Sequence, residues 1–161
     1  MGKKCAVIIV LLLLVIAGGI YKFIFQGSVS GSTDGRIAIH LEATERDLVL
    51  AEMRAFLASV QQITRGISEN DMQLVAEYSR KVGKAAQGDV PGTLIGKLPM
   101  QFKQLGFDTH TRFDQLALDA DDLGDAQHAL SQLAVLLQNC TACHEAYRFD
   151  ISEQQSASEA L

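Results

Sequence analysis

The chain has 161 residues, of which 48% are hydrophobic, and this length allows one domain with a modest appendage but no second enzymatic domain. It carries 14 lysines and arginines against 19 acidic residues, a net charge of −5, with no basic run and no tryptophan, which disfavours binding to nucleic acid. Its only prolines, Pro91 and Pro99, leave long stretches on either side free to form uninterrupted helix.

An unbroken apolar run extends from Ala6 to Ile20, preceded by Lys3 and Lys4. Continued through Phe25, the run reaches the ~20 residues that a helix needs to cross a bilayer. Residues 1–25 are therefore predicted to be an uncleaved signal anchor. A cleaved signal peptide is the main alternative, but the nearest small-residue triplet, Ala17-Gly18-Gly19, lies inside the apolar run. Because lysines favour the cytoplasmic side, we expect a single pass through the cytoplasmic membrane, with the domain in the periplasm.

Two segments flank the predicted domain. Residues 26–43 begin with a stretch rich in glycine and serine and are predicted to be a flexible tether, and residues 150–161 are predicted to be a disordered tail. Without residues 1–31 the chain retains 11 basic and 19 acidic side chains, so the exported part carries a net charge of −8.

Residues 44–149 show four apolar stripes with helical spacing. The first helix is predicted to start at Thr44 and Asp47, with the stripe Val49, Met53, Phe56, Val60, Ile63 and Ile67. The second starts at Ser68 and Asp71, with Met72, Val75, Ser79, Val82 and Ala86, and stops at Gly88. The third contains Phe102, Leu105, Thr109, Phe113, Leu116 and Ala120, and the fourth contains Ala126, Ala129, Leu130, Leu133, Leu136, Leu137, Cys140, Cys143, His144 and Tyr147.

These stripes predict an all-α domain, an up-down-up-down four-helix bundle preceded by one transmembrane helix. A longer connection containing Pro91 and Pro99 joins the second and third helices, and an acidic turn over residues 119–125 joins the third and fourth. No segment alternates with period two for long enough to predict a strand.

The fourth stripe contains the pattern Cys140-Thr141-Ala142-Cys143-His144, which is typical of covalent attachment of c-type haem. Residues three apart lie on one face of a helix, so both thiols can reach the two vinyl groups of one porphyrin. The adjacent imidazole of His144 is then the expected proximal ligand of the iron.

Other interpretations of the two cysteines are weaker. A thioredoxin-like pair needs a βαβ context and a helix N-terminus, whereas this pair lies near the end of a predicted helix. A zinc site needs further ligands close by, but His40, His110 and His128 are scattered. His40 and His110 are expected at the surface rather than as ligands, and His128 is expected at the far end of the bundle. A disulfide between the two cysteines would not explain why a histidine follows them directly in the sequence.

With Glu145, Ala146, Tyr147 and Arg148 after the motif, the C-terminal part of the chain resembles the cytochrome c′ family of four-helix-bundle cytochromes. The resemblance covers about residues 44–149, strongly over the last helix and by pattern before it. It implies one covalently bound haem c, with thioethers to both motif cysteines and an axial histidine. We expect Tyr147 to pack on the macrocycle or in the core, and Arg148 to pair with a haem propionate or to favour the end of the helix.

The sixth ligand distinguishes two functions, because an open iron binds small gases and a methionine-closed iron mainly shuttles electrons. Low-spin members of the resembled family place a ligand methionine on the first helix, and Met53 occupies the corresponding level here. The family's arginine four residues earlier is replaced by Val49, and a methionine on an apolar stripe is also an ordinary core residue. Met100 competes for the role, while Met72 is expected at the opposite end of the bundle.

The sequence therefore favours a membrane-anchored monohaem cytochrome that carries single electrons between respiratory partners and is not an enzyme. The alternative is a five-coordinate haem protein that binds NO or CO. The charge of −8 on the exported part suggests redox protein partners with a basic docking face. Members of the resembled family often form dimers, so a homodimer is an allowed state.

Overall fold

Helices make up most of the chain in the computed structural model, which describes residues 2–88 and 90–151. The α-helices of this part are α1 (Lys3–Ile20), α2 (Ala43–Glu69), α3 (Met72–Lys81), α4 (Gly92–Lys97), α5 (Met100–Leu123) and α6 (Ala126–Ala146). A π-helical segment (Tyr21–Gln26) continues α1, a 3₁₀ turn (Lys84–Gln87) follows α3, and the strands are β1 (Val29–Gly31), β2 (Ile37–Leu41) and β3 (Tyr147–Ile151). The prediction of a mainly helical chain is confirmed.

The apolar N-terminal run forms the predicted helix. Residues Lys4–Gln26 make one helical span of 23 residues that is long and apolar enough to cross a membrane. At ~1.5 Å per residue this length matches the ~30 Å hydrocarbon core of a bilayer.

The helix boundaries follow local capping chemistry. α2 begins at a capping box made by Glu42 and Glu45, two residues before the predicted Thr44–Asp47 pair, and it ends at Asn70 in the left-handed conformation. The side chain of Asp71 caps α3 by accepting a hydrogen bond from the backbone N–H of Leu74, at 3.0 Å.

The later helices also begin and end at typical capping residues. Pro99 precedes α5, which ends at Gly124 with φ of 63°, and Asp125 caps α6 by accepting from the N–H groups of Gln127 and His128. The second predicted helix is shorter than expected, because α3 ends at Lys81. The proline-containing connection that follows contains the additional short helix α4.

The expectation of no strands is wrong. β2 pairs antiparallel with β1 (Val29 opposite Ile39) and parallel with β3 (Ile37 opposite Tyr147), giving the order β1-β2-β3. β3 lies where the fourth helix was predicted to continue, because an alternating run of aromatic and branched residues after Ala146 suits a strand. These strands have three to five residues, too few for a periodicity search to detect.

Residues 26–43, predicted to be a flexible tether, contain both β1 and β2. In β2 the side chains of Ala38, Ile39 and Leu41 are buried. The predicted disordered tail lies outside the described residues from position 152 onward.

Two apolar clusters stabilise the domain. The first joins α2, α3, α5 and α6 and contains Phe56, Ile63, Met72, Val75, Ala76, Val82, Phe113, Leu116, Ala120, Ala129, Leu133 and Leu136. The second lies where α2 and α5 begin and α6 ends, and it contains Ile39, Leu41, Val49, Leu94, Leu98, Phe102 and Tyr147. Helix α3 packs against α2 and α5, α5 packs against α6, and α2 contacts α6.

Candidate functional site

The Cys-x-x-Cys-His pattern occupies the last turns of α6. Cys140 and Cys143 are both half-buried free thiols, whereas Thr141 and Ala142 between them are exposed. The helix therefore turns both sulfur atoms toward the protein side of one face, as the three-residue spacing predicted.

Burial holds both sulfur atoms in the neutral form. It raises the pKa of the Cys140 thiol, and burial together with the neighbouring Cys140 raises the pKa of Cys143 to about 11. Both groups also lie at the C-terminal, partly negative end of a helix, which disfavours a thiolate. A thiol–disulfide exchange site needs a lowered pKa, so this environment disfavours a redox dithiol.

His144 presents an exposed imidazole beside the thiols. Its backbone carbonyl accepts a hydrogen bond from Arg36, with Nη1 at 3.4 Å, and the carbonyl of Tyr147 accepts from the same nitrogen at 3.4 Å. The end of α6 is thus held by the loop between β1 and β2, while the ring of His144 has no partner among the described residues.

Met53 lies in α2, half-buried, and packs against both apolar clusters. Cys143 packs against the second cluster as well, so the structure brings Met53 and the Cys-x-x-Cys-His pattern to the same apolar region. Met72 is buried in the first cluster only, and the half-buried Met100 begins α5.

Tyr147 has a different setting from the predicted one. It is the first residue of β3 rather than part of the helix, and it is buried with its ring 5.4 Å from that of Phe102 in an edge-on contact. A groove of about 430 Å³ opens beside it and is lined by Gln101, Gln104, Leu105, Asp108, Ala146 and Tyr147.

Arg148 lies in β3, so it does not end the helix as one of its two predicted roles required. Its guanidinium pairs with Asp150 at 2.9 Å and with Asp34 at 3.6 Å, and Asp34 also pairs with Arg36 at 2.6 Å. These four charged side chains lie next to the sheet and leave Arg148 only part-exposed.

His110 was predicted to be a surface residue, but it is only 2% exposed in the middle of α5. Its Nδ1 lies 2.8 Å from the carbonyl of Val82, and its Nε2 lies 3.2 Å from Oε1 of Glu52. His110 stands three residues before Phe113 on the buried face of the helix, and this spacing was the sequence signal for its burial.

The donor set at the end of α6 suits a porphyrin better than a bare metal ion. Within residues 2–88 and 90–151 no three His, Cys, Asp or Glu side chains converge on a point. A porphyrin supplies four nitrogen ligands itself, so it needs only covalent attachment and one or two axial ligands from the protein. Two free thiols on one helix face, an adjacent exposed imidazole and a nearby apolar cluster meet these requirements.

No protein family, curated protein or solved structure matches this chain significantly. What the site does therefore depends on its own residues.

Proposed function

We propose that this protein is a membrane-anchored monohaem c-type cytochrome that carries single electrons between respiratory partners. The observation that carries the proposal is the pattern Cys140-x-x-Cys143-His144, whose two thiols are free, half-buried and on one face of α6.

Each part of the site has a role under this proposal. Cys140 and Cys143 would hold the porphyrin through thioether bonds, and His144 would ligate its iron. When bound, the haem would supply a centre that gains and loses one electron. Met53, which packs on the same apolar cluster as Cys143, would be the second protein ligand and would exclude small molecules from the iron.

The residues after the motif support the cofactor rather than ligate it. Tyr147 packs in the second cluster against Phe102 and excludes water from that side of the site. Arg148 already pairs with Asp150 and Asp34, so a propionate would have to share its guanidinium with these acids.

Contacts among the helices support the up-down-up-down bundle. The second cluster contains residues from the start of α2, the start of α5 and the residue after α6, whereas Ala120 and Ala129, near the α5–α6 turn, belong to the first cluster. This grouping of helix ends in the two clusters is expected when consecutive long helices run in opposite directions.

Covalent attachment is tested first, by producing the full chain in a host that matures c-type cytochromes. We expect haem staining of the denatured polypeptide and a mass increase of one haem. Cys140→Ser and Cys143→Ser should each weaken or abolish attachment, whereas Cys5→Ser, the matched control in the apolar N-terminal helix, should leave it unchanged. A colourless chain with both motif thiols still reactive would refute the proposal.

The sixth ligand is tested with volume-conserving variants, because leucine replaces methionine at little cost in packing. Met53→Leu should convert the low-spin spectrum to high-spin and remove the weak far-red band of methionine-ligated ferric haem. Met100→Leu is the matched control and should leave both features unchanged. The reverse result would assign the ligand to Met100.

The second candidate function is binding of NO or CO at a five-coordinate iron. It is favoured by the packing of Met53 against both clusters, which is what an ordinary core methionine does. This candidate predicts a high-spin spectrum in both oxidation states, and Met53→Leu would then change nothing.

A further inference from the structure

We infer that the domain is fixed rigidly to its membrane helix, with the haem-binding end of the bundle resting on the lipid surface. The inference rests on the proposed membrane span and adds an orientation to it. Residues 21–28, together with α4 and the start of α5, form the contact region that we term the anchor joint.

The anchor joint leaves no free linker between helix and domain. The π-helical segment ends at Gln26, and the N–H of Ser28 already donates to the carbonyl of Lys97 at 2.7 Å. The carbonyl of Ser28 in turn accepts from the N–H of His40 at 2.8 Å, so the chain enters the sheet within two residues of the helix.

Gly27 makes this close approach possible. It has φ of 71°, and a Cβ atom at this position would lie 2.3 Å from the carbonyl oxygen of Lys97 and 2.8 Å from the carbonyl carbon of Leu98. Only glycine satisfies both the positive φ and the contact with neighbouring backbone. The helix is therefore seated against the end of α4 at a fixed angle.

Lys103, which lies in α5, also stabilises the anchor joint. Its ammonium group donates to the carbonyl oxygen of Ile24 at 2.9 Å, although the residue is only 9% exposed. A cation at the C-terminal end of a helix is favourable, because the last carbonyl groups lack partners there. A buried lysine used in this way restrains the direction in which the anchor leaves the domain.

The anchor joint and the haem-binding pattern lie at the same end of the domain. Phe102, next to Lys103, packs edge-on against Tyr147, which follows His144 by three residues. The hydroxyl of Tyr147 also donates to Oε1 of Gln101 at 3.4 Å. The contacts of Tyr147 with Phe102 and Gln101 thus link the start of α5, which holds the anchor, to the chain segment that follows the motif.

One group of exposed acids marks the end of the bundle that is far from the anchor joint. The exposed acids Glu69, Asp71, Asp122 and Asp125 occupy the α2–α3 and α5–α6 turns. At ~1.5 Å per residue these turns lie roughly 30 Å from Lys103 along α5. These four acids are therefore kept away from the lipid surface, while at the near end Lys97 pairs with Glu42 and Glu45.

The orientation is measured by quenching of a fluorescent label in the full-length protein. The protein is placed in phosphatidylcholine nanodiscs with a nitroxide on the lipid headgroup, in a Cys5→Ser background. One variant carries the label at Gln104→Cys, near the motif, and the other at Gln127→Cys, in the far turn. If the motif thiols prove free of haem, both are changed to serine before labelling. We expect loss of most of the emission at position 104 and of little at position 127.

Two changes test the rigidity of the joint. An insertion of about ten Gly/Ser residues between Gln26 and Gly27, with a root-mean-square span of about 18 Å, should remove the difference between the two labels. Lys103→Met keeps the length of the side chain but removes its ammonium, and it should reduce the difference. The control is Lys84→Met, an exposed lysine in the 3₁₀ turn, which should not change it.

Equal quenching at both positions in the unmodified joint would overturn the inference, and so would an insertion without effect. Because the measurement needs no haem, a failed haem attachment leaves it valid and is seen separately. Cleavage of the anchor is also distinguished, since the mass of the purified protein would then lack the apolar N-terminus.

Discussion

Buried His110 is the residue whose protonation the fold constrains most clearly. Its two ring nitrogens face only acceptors, the carbonyls of Val82 and Gly83 on one side and the carboxylate of Glu52 on the other. Both nitrogens must therefore donate, which requires the imidazolium form. Burial opposes the charge, but the bonds to Glu52 and to the carbonyls outweigh it and raise the pKa of His110 above its ordinary 6.5.

The first prediction concerns pH and this histidine. A raised folded-state pKa contributes stability that is complete below pH 6.5 and is lost as the pH rises through the raised value. His110→Gln should lower the free energy of unfolding by about 2 kcal/mol at low pH and by less at higher pH. Urea unfolding across this pH range measures the difference.

His128→Gln is the matched control for that measurement, because His128 is exposed and its ring faces Asp119 at 3.3 Å on the surface. It should change the unfolding free energy little at any pH. A His110→Gln difference that stays constant with pH would show that folding does not shift the pKa of His110, and a difference that grows as the pH rises would show that His110 is neutral in the folded protein.

The second prediction concerns the motif thiols before haem is attached. Only a thiolate reacts with iodoacetamide, and a pKa of about 11 for Cys143 leaves roughly 100-fold less thiolate at neutral pH than the ordinary value of 9.0. Because part of this rise comes from Cys140, alkylation of Cys143 is followed in the chain that keeps both motif cysteines, and it should be much slower in the folded protein than in urea. Equal rates in the two conditions would mean that burial does not control this thiol.

Elements with long periodic stripes could be predicted from the sequence, and those without them could not. The apolar spacing of α2, α5 and α6 predicted their existence because buried residues recur there over five or more turns. The strands could not be recognised, because pairing between residues as distant as Ile37 and Tyr147 leaves no local signal.

The candidate site could likewise be predicted from the sequence only in part. The cysteines and His144 are adjacent in sequence, so their common helix face followed from helix geometry alone. The ion pairs of Arg148 and the burial of Tyr147 depend on the sheet, and the sequence therefore predicted their settings only in part.

The third prediction tests the sheet as part of the core. Ile39 in β2 is fully buried, whereas Ile37, two residues earlier, is 39% exposed. Ile39→Ala should cost about 3 kcal/mol of stability because it removes buried methyl groups, and Ile37→Ala should cost less than about 1 kcal/mol. Chemical unfolding followed by circular dichroism measures both values. If residues 26–43 were a flexible tether, neither change would matter.

The fourth prediction compares two glycines that both have a positive φ. Gly27 and Gly35 have φ of 71° and 83°, but a Cβ at Gly35 would meet no atom within 4 Å. Gly35→Ala should therefore cost only the backbone strain, about 1 kcal/mol, while Gly27→Ala adds a clash with the carbonyl of Lys97 and should cost about 3 kcal/mol or more. Thermal unfolding in detergent measures the two losses, and equal losses would argue against the close contact at Gly27.

Across the whole molecule, acidic side chains lie at both ends of the bundle, and only some of them are close to the Cys-x-x-Cys-His pattern. Although residues 32–161 carry a net charge of −8, four of their exposed acids lie in the turns far from the motif. Around the motif the exposed residues Thr141 and Ala142 are uncharged and Glu145 is acidic. The net charge should act on an approaching redox partner mainly over long distances, at low ionic strength.

The last prediction follows from the net negative charge and uses small one-electron oxidants of opposite charge, with the haem-loaded protein of the proposed function. Raising the ionic strength from about 10 mM to about 150 mM shortens the Debye length from about 30 Å to about 8 Å. Oxidation of the haem-loaded protein by a ruthenium hexaammine cation should become slower, and oxidation by ferricyanide should become faster, in stopped-flow measurements. Opposite salt effects would mean that the local potential at the motif is positive.

The two groups of acids can be separated with charge-removing variants. Glu145→Gln should change the rate with the ruthenium cation at both ionic strengths, because Glu145 follows His144 directly. The double variant Glu69→Gln and Asp122→Asn removes twice the charge but acts from roughly 30 Å along the bundle, so its effect should disappear at the higher ionic strength. If the distant variant were equally effective there, the oxidant would be reaching the haem near the acidic turns, and the motif could not lie at the membrane end of the bundle.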